Sequence, residues 1–261
     1  MNFILWTLLV AIGINVAMFV PAYAFRTDKL TDISYALTFI IVALESYHRS
    51  IQTPAQLWVL GMVLVWAVRL GLFLFIRISK NKTDKRFDEI RDNFYAFLKF
   101  WVLQGFTVYI VLITASLVWS RNVTFIKPVS YVGLGFFGLG LSIEALADAQ
   151  KSRFKNKTKT DIWIDVGVWR MSRHPNYLGE IMVWLGVYLF AWPSLLNLQL
   201  KVLGLLSPLY IIGLLLFVSG IPLLEKSADK KWGTKKDYKD YKKAVPALLP
   251  NLTSLKRLVK R

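Results

Sequence analysis

The 261-residue sequence contains no cysteine, which excludes disulfides, thiolate metal sites and cysteine nucleophiles at once. It has only two histidines, His48 and His174, and their separation along the chain makes a zinc site improbable. Acidic residues are scarce too, 16 against 33 Lys and Arg, for a formal charge of +17. That excess does not point to nucleic acid, because no aromatic-interleaved segment or folded binding module accompanies it. What the chain has in quantity is apolar surface: 55% hydrophobic residues, with ten Trp and seventeen Phe, gathered in long blocks. A soluble domain of this length would not carry them, so the composition predicts an integral membrane protein.

The apolar blocks predict a single all-α domain over residues 1–261, with seven transmembrane helices near 3–24, 33–47, 54–76, 95–119, 128–148, 177–193 and 199–224. The first block lacks a basic leader and a small-residue cleavage site, so it reads as a span. Alternate loops and the tail after Glu225 hold 28 of the 33 basic residues. Arg49, Arg121, Lys127 and Lys201 fall on the other side, and Arg69 lies within a span. By the positive-inside rule the N-terminus is expected outside and the C-terminus in the cytoplasm. Many of the lysines, those of KKWGTKKDYKDYKK included, also suit anionic lipid headgroups.

Two motifs are set aside. Gly133-Leu-Gly-Phe-Phe-Gly138 matches the dinucleotide fingerprint, but it lies inside an apolar span, where small residues serve close helix packing. Asn122-Val-Thr124 matches a glycosylation sequon with nothing to support its use.

The polar residues at one set of span ends carry more. In EALADAQKSRFK, Glu144 and Asp148 are four residues apart and share a helix face, with Gln150, Arg153 and Lys155 following. Carboxylates near the end of a membrane helix cost free energy unless paired, hydrated or used. In SRHPNYLGE, Pro175 suits a first helical turn, and Asn176 and Glu180 again stand four apart. A helix start with Arg170 and Arg173 beside it favours an anion. Interfacial anchoring explains Arg173, His174 and Tyr177, but not Glu180 one turn inside the span. Asp28, Asp32 and Tyr35 sit at the start of the second span, and Glu225 ends the last, ahead of a Tyr- and Lys-rich amphipathic tail. Such convergence at one mouth of a bundle describes a cofactor and substrate pocket.

These segments carry a resemblance. GVWRMSRHPNYLGEIMVWLG, EALADAQKSRFK, the GIPLLEK segment with its downstream tyrosines, RTDKLTDISYAL and WAVRLGLFLFIR together resemble the steroid 5-alpha-reductase superfamily. The likeness is to a bacterial branch of membrane proteins with the C-terminal domain of that superfamily, and it runs from about Phe25 to Pro250. The resemblance implies a seven-span reductase of the bacterial inner membrane. NADPH would bind at the cytoplasmic side, and hydride would pass to a C=C bond conjugated to a ketone in a steroid-like or isoprenoid lipid. By motif, Asn176 and Glu180 would hold the nicotinamide end, and Glu144 and Asp148 would meet ribose or amide groups. Arg153, Lys155, Arg170 and Arg173 would meet phosphates, with His174, Tyr177 and Glu225 in the same site. Residues 225–261 would pack on that site, with Tyr238 and Tyr241 covering the cofactor. One position departs: where the family has a ketone-binding tyrosine four residues after an arginine like Arg69, this chain has Phe73. Asp32 and Tyr35 are then the expected polarising groups, with Tyr109 as a further alternative.

The nearest rival is an S-adenosylmethionine-dependent membrane methyltransferase of the isoprenylcysteine or phospholipid type. Those enzymes share an RHPxYxG start and a later glutamate, but usually as a glutamate pair, whereas Lys226 follows Glu225 here. A non-enzymatic lipid-binding membrane protein is the third reading, and it would bind neither nucleotide.

Overall fold

A bilayer offers no water to unpaired backbone groups, so a chain crossing it must pair N–H and C=O within helices or a closed barrel. A computed structural model describes residues 3–80, 87–157 and 162–259, and every regular element among them is helical. Six segments there are long and apolar enough to cross a membrane. They are α1 (Phe3–Ala24), α2 (Lys29–His48), Pro54–Ser79 of α3 (Pro54–Lys80), α4 (Phe94–Val111), Pro128–Asn156 of α6 (Pro128–Lys157), and Leu198–Trp232. The last joins α8 (Leu198–Gly213), a π-helical stretch Leu214–Val218, and α9 (Ile221–Trp232). The protein is thus an all-helical integral membrane protein.

Two expected spans come out differently. The block at 95–119 is interrupted at Leu112, giving α4 and a short α5 (Ile113–Trp119). The block at 177–193 forms α7 (Pro175–Ala191), whose 17 residues rise only about 26 Å, short of a typical hydrocarbon core. Helices α10 (Lys236–Ala244) and α11 (Leu252–Val259) follow in the tail. Of the basic residues behind the expected orientation, Lys82, Lys85, Arg86, Lys159, Lys260 and Arg261 lie outside the described residues.

The chain forms two compact units. The first, residues 1–133 and 187–207, has a buried polar seam joining α1, α2 and α4. Asn15 Nδ2 donates to the Ala11 carbonyl (2.8 Å) and to Thr38 Oγ1 (3.2 Å). Gln104 Nε2 donates to Asn15 Oδ1 (2.9 Å), the Thr31 carbonyl (3.1 Å) and Ser34 Oγ (3.3 Å). All five side chains are buried, where a polar group left unbonded costs about 1–3 kcal/mol, so the seam fixes helix register. Backbone breaks are repaired in the same way. Pro208 lacks the N–H that would bond the Gly204 carbonyl, and Thr114 Oγ1 donates to that carbonyl at 2.6 Å. Near the α4–α5 break, Ser207 Oγ donates to the Val111 carbonyl at 2.6 Å. Gln56, fully buried, donates to the carbonyls of Val118, Trp119 and Arg121, and so closes the end of α5.

The second unit comprises residues 134–186 and 208–261. Helices α6 and α7 touch backbone to backbone at Gly140 and Gly179. A Cβ at Gly179 would stand 2.6 Å from the Gly140 carbonyl oxygen and 2.7 Å from the Glu144 amide nitrogen. Only a residue without a side chain fits there. The tail packs in this unit through Trp163, whose ring meets Trp232, Tyr238 and Tyr241 at 5.1–6.3 Å between centroids.

Candidate functional site

The sequence places two carboxylates one turn apart near the C-terminal end of α6, and the Gly140–Gly179 contact puts Glu144 against the start of α7. Glu144 is 4% exposed and Asp148 7%. Pro175 opens α7 as expected, and Asn176, Tyr177 and Glu180 lie half-buried along its first turns. Glu144 and Glu180 therefore flank one crossing, because Gly179 contacts Glu144 directly. Buried acceptors in this pattern suit a ligand rich in hydroxyl and amide donors.

The connection from α6 to α7 is braced against α6 itself. Gly167 adopts φ +53°, and a Cβ there would collide with the Gln150 side chain. Gln150 Oε1 instead accepts from the Val168 amide at 3.0 Å. Trp169 donates from Nε1 to the Ala147 carbonyl (3.0 Å), and Lys151 Nζ lies 5.2 Å from the Trp169 ring centre. Arg170 Nε donates to the Asp165 carbonyl at 3.3 Å. Arg153 and Lys155, on the last turns of α6, are exposed.

A second cluster gathers around Glu225. Arg173 donates from Nε to Oε1 (3.1 Å) and from Nη2 to Oε2 (2.9 Å) of Glu225. His174 Nε2 lies 2.9 Å from Oε1, so the tautomer that fits carries its proton on Nε2. Lys242 Nζ reaches Oε2 at 3.1 Å and Asp229 Oδ1 at 2.7 Å. Arg173 Nη1 donates to the carbonyls of Lys242 (3.1 Å) and Val245 (2.6 Å). The amides of Arg173 and His174 donate to the carbonyls of Pro246 and Ala247. His174 stacks on Tyr177 with rings 12° from parallel. Arg173, expected from its position to meet phosphates, thus spends its donors on Glu225 and on the backbone of the tail.

The tail tyrosines expected over a cofactor are buried, and Tyr241 donates to the Trp169 carbonyl at 3.2 Å. Burial pushes the Tyr241 hydroxyl well above its ordinary pKa, and the Asp165 charge adds to the effect. Tyr238 is raised by burial and by Glu225. Burial would lower Lys242, but its bonds to Asp229 and Glu225 outweigh that and raise it.

In the first unit, Asp32 Oδ2 accepts from Arg77 Nη2 at 2.5 Å. That oxygen is therefore an acceptor here. Tyr35 is half-buried with its ring edge-on to Phe39, 5.1 Å between centroids. The Arg69 guanidinium stands 5.5 Å from the ring centre of Phe73, the residue at the expected tyrosine position. The polar seam of Asn15, Thr31, Ser34, Thr38 and Gln104 escaped the sequence reading. Its signal was present, since Thr31, Ser34 and Thr38 recur at helical spacing and Asn15 and Gln104 interrupt apolar runs.

The family model described as "Protein of unknown function (DUF1295)" matches residues 18–245. No curated protein and no solved structure matches the chain. The matched range includes both carboxylates of α6, the start of α7 and the Glu225 cluster. This membrane protein belongs to the DUF1295 family.

Proposed function

We propose that the protein is an NADPH-dependent reductase of an unsaturated lipid ketone, spanning the bacterial inner membrane seven times with its N-terminus outside and its C-terminus cytoplasmic. The span added to the six long helices is α7, shorter than the others and opening at Pro175. The observation that carries the reading is the α6–α7 crossing, which sets buried Glu144 against Gly179, the residue before Glu180 in α7. Acceptors at Glu144, Asp148, Asn176 and Glu180 suit the hydroxyl and carboxamide donors of the cofactor. Arg153, Lys155 and Arg170 are the cations for its phosphates, while Arg173, His174 and Glu225 hold the tail in place. When bound, NADPH supplies the hydride. Within the chain, Tyr35 is the favoured donor to the substrate ketone, and Asp32, three residues before it in α2, is paired with Arg77.

One observation favours a second reading, an S-adenosylmethionine-dependent methyltransferase. The RHP start and the later glutamate, the two features shared with those enzymes, meet directly through Arg173, His174 and Glu225. Thermal shift of the detergent-purified protein with NADPH, NADH and S-adenosylmethionine separates the readings. A ligand at a hundred times its Kd stabilises the folded state by about 2.7 kcal/mol. The reductase reading expects stabilisation by NADPH that Glu180→Gln removes. Stabilisation by S-adenosylmethionine alone transfers the site to methyl transfer, and response to neither nucleotide leaves a non-enzymatic protein.

A further inference from the structure

Helix α11 is amphipathic the wrong way round for a helix facing water. A surface helix normally turns its apolar stripe inward and its polar residues outward. In α11 the inward residues are polar. Ser254 is fully buried, and Arg257 Nη2 donates to Asp165 Oδ2 at 2.6 Å. The leucines point out: Leu252 is 78% exposed, and Leu255 and Leu258 are exposed as well, with Leu249 just before the helix. The start of the helix is fixed by reciprocal bonds, Asn251 N to Ser254 Oγ (3.0 Å) and Ser254 N to Asn251 Oδ1 (2.8 Å). The outward face is thus held by capping and by an ion pair.

We infer that the leucine face of α11 docks on anionic lipid of the bilayer that the protein spans, inserting into the headgroup–acyl boundary. Three features select this occupant. Lys256 is exposed next to the leucine stripe, which sets a cation beside the apolar face. The chain as a whole carries +17, complementary to a negative lipid surface. A second copy seated on the same face would bring like charges together around the leucines, which disfavours self-association. The inference does not depend on the identity of the cofactor.

The absence of cysteine makes a direct test possible. Single substitutions Leu252→Cys and Leu255→Cys, with exposed Asp240→Cys as reference, are labelled with an environment-sensitive fluorophore in the full-length protein. The protein is reconstituted in vesicles of phosphatidylcholine alone or mixed with phosphatidylglycerol. Spin-labelled lipid should quench the labels at 252 and 255 at least about twofold more than at 240 in the anionic vesicles, and Lys256→Gln should shrink that difference. Equal access of a water-soluble quencher to all three positions overturns the proposal. So does equal lipid quenching in neutral and anionic vesicles, since charge then selects nothing. Shielding at 252 and 255 that persists in detergent and brings cross-linking between copies assigns the face to a second copy instead.

Discussion

Arg173 and Glu225 stand 52 residues apart in sequence and meet through two parallel N–H···O contacts of 3.1 and 2.9 Å. The pair is the hinge pin of the second unit. The guanidinium that grips Glu225 also bonds two carbonyls of the tail, so one side chain joins the start of α7, α9 and the end of α10.

Removing one partner should release the tail. Glu225→Ala leaves Arg173, 13% exposed at its side chain, without its counter-charge, and such a loss costs about 3–5 kcal/mol. The expected results are a lower unfolding temperature in detergent and faster proteolysis within 226–261. Arg173→Met combined with Glu225→Met should recover part of the loss. A wild-type profile for Glu225→Ala would show that the pair carries no such load.

At the α6–α7 contact the smallest change is enough. Gly179→Ala adds a Cβ 2.6 Å from a backbone oxygen, so the helices must separate, at a cost of about 1–3 kcal/mol for overpacking. If the carboxylates form the nucleotide site, NADPH stabilisation should fall by more than Tm does. Gly135→Ala, where nothing lies within 4 Å, is the control and should leave both unchanged.

The repair above Pro208 predicts that the cost of losing Thr114 depends on Pro208. Thr114→Ala orphans the Gly204 carbonyl and should cost about 1–3 kcal/mol. In a Pro208→Ala background, where residue 208 regains its N–H, the same change should cost far less. Unfolding midpoints of the four proteins form the cycle, and simple additivity would rule the repair out.

Alkaline pH should loosen the tail. Tyr241 and Lys242 both have raised pKa values in the folded protein, so the folded state holds its protons more tightly than the unfolded one. The stabilisation is complete below the unfolded pKa values and is lost as pH rises from about 10 toward the folded values. Tail proteolysis and Tm should therefore be flat between pH 7 and 9 (roughly the range below both titrations) and decline above about pH 10. Tyr241→Phe should blunt its share of the decline.

Six apolar spans were legible because burial in lipid demands long apolar runs, and such runs are a local property of sequence. The start of α7 was legible for a similar reason, since Pro175 fixes its own backbone angle. The interruption at Leu112 was not, because no Gly or Pro marks it and the carbonyls near it are served by residues such as Ser207, 96 positions away. Glu144 and Asp148 could be placed on one face from their spacing. The contact of Glu144 with Gly179 could not be read from spacing, because it depends on two glycines in different helices meeting. The partner of Arg173 was not legible for the same reason: its charge suggested an anion, and the carboxylate that pairs with it lies in another helix.

By itself the sequence determined an all-helical membrane protein, the approximate spans, the asymmetric distribution of charge and a polar concentration at the ends of α6 and α7. Those properties follow from composition, period and local backbone geometry, each confined to a few consecutive residues. Only the tertiary structure decided which polar groups meet. Gln104 reaches Asn15 across 89 residues and Tyr241 reaches Trp169 across 72. Contacts of that separation depend on how helices cross, and helix crossing is set by side-chain volume at a handful of positions such as Gly140 and Gly179.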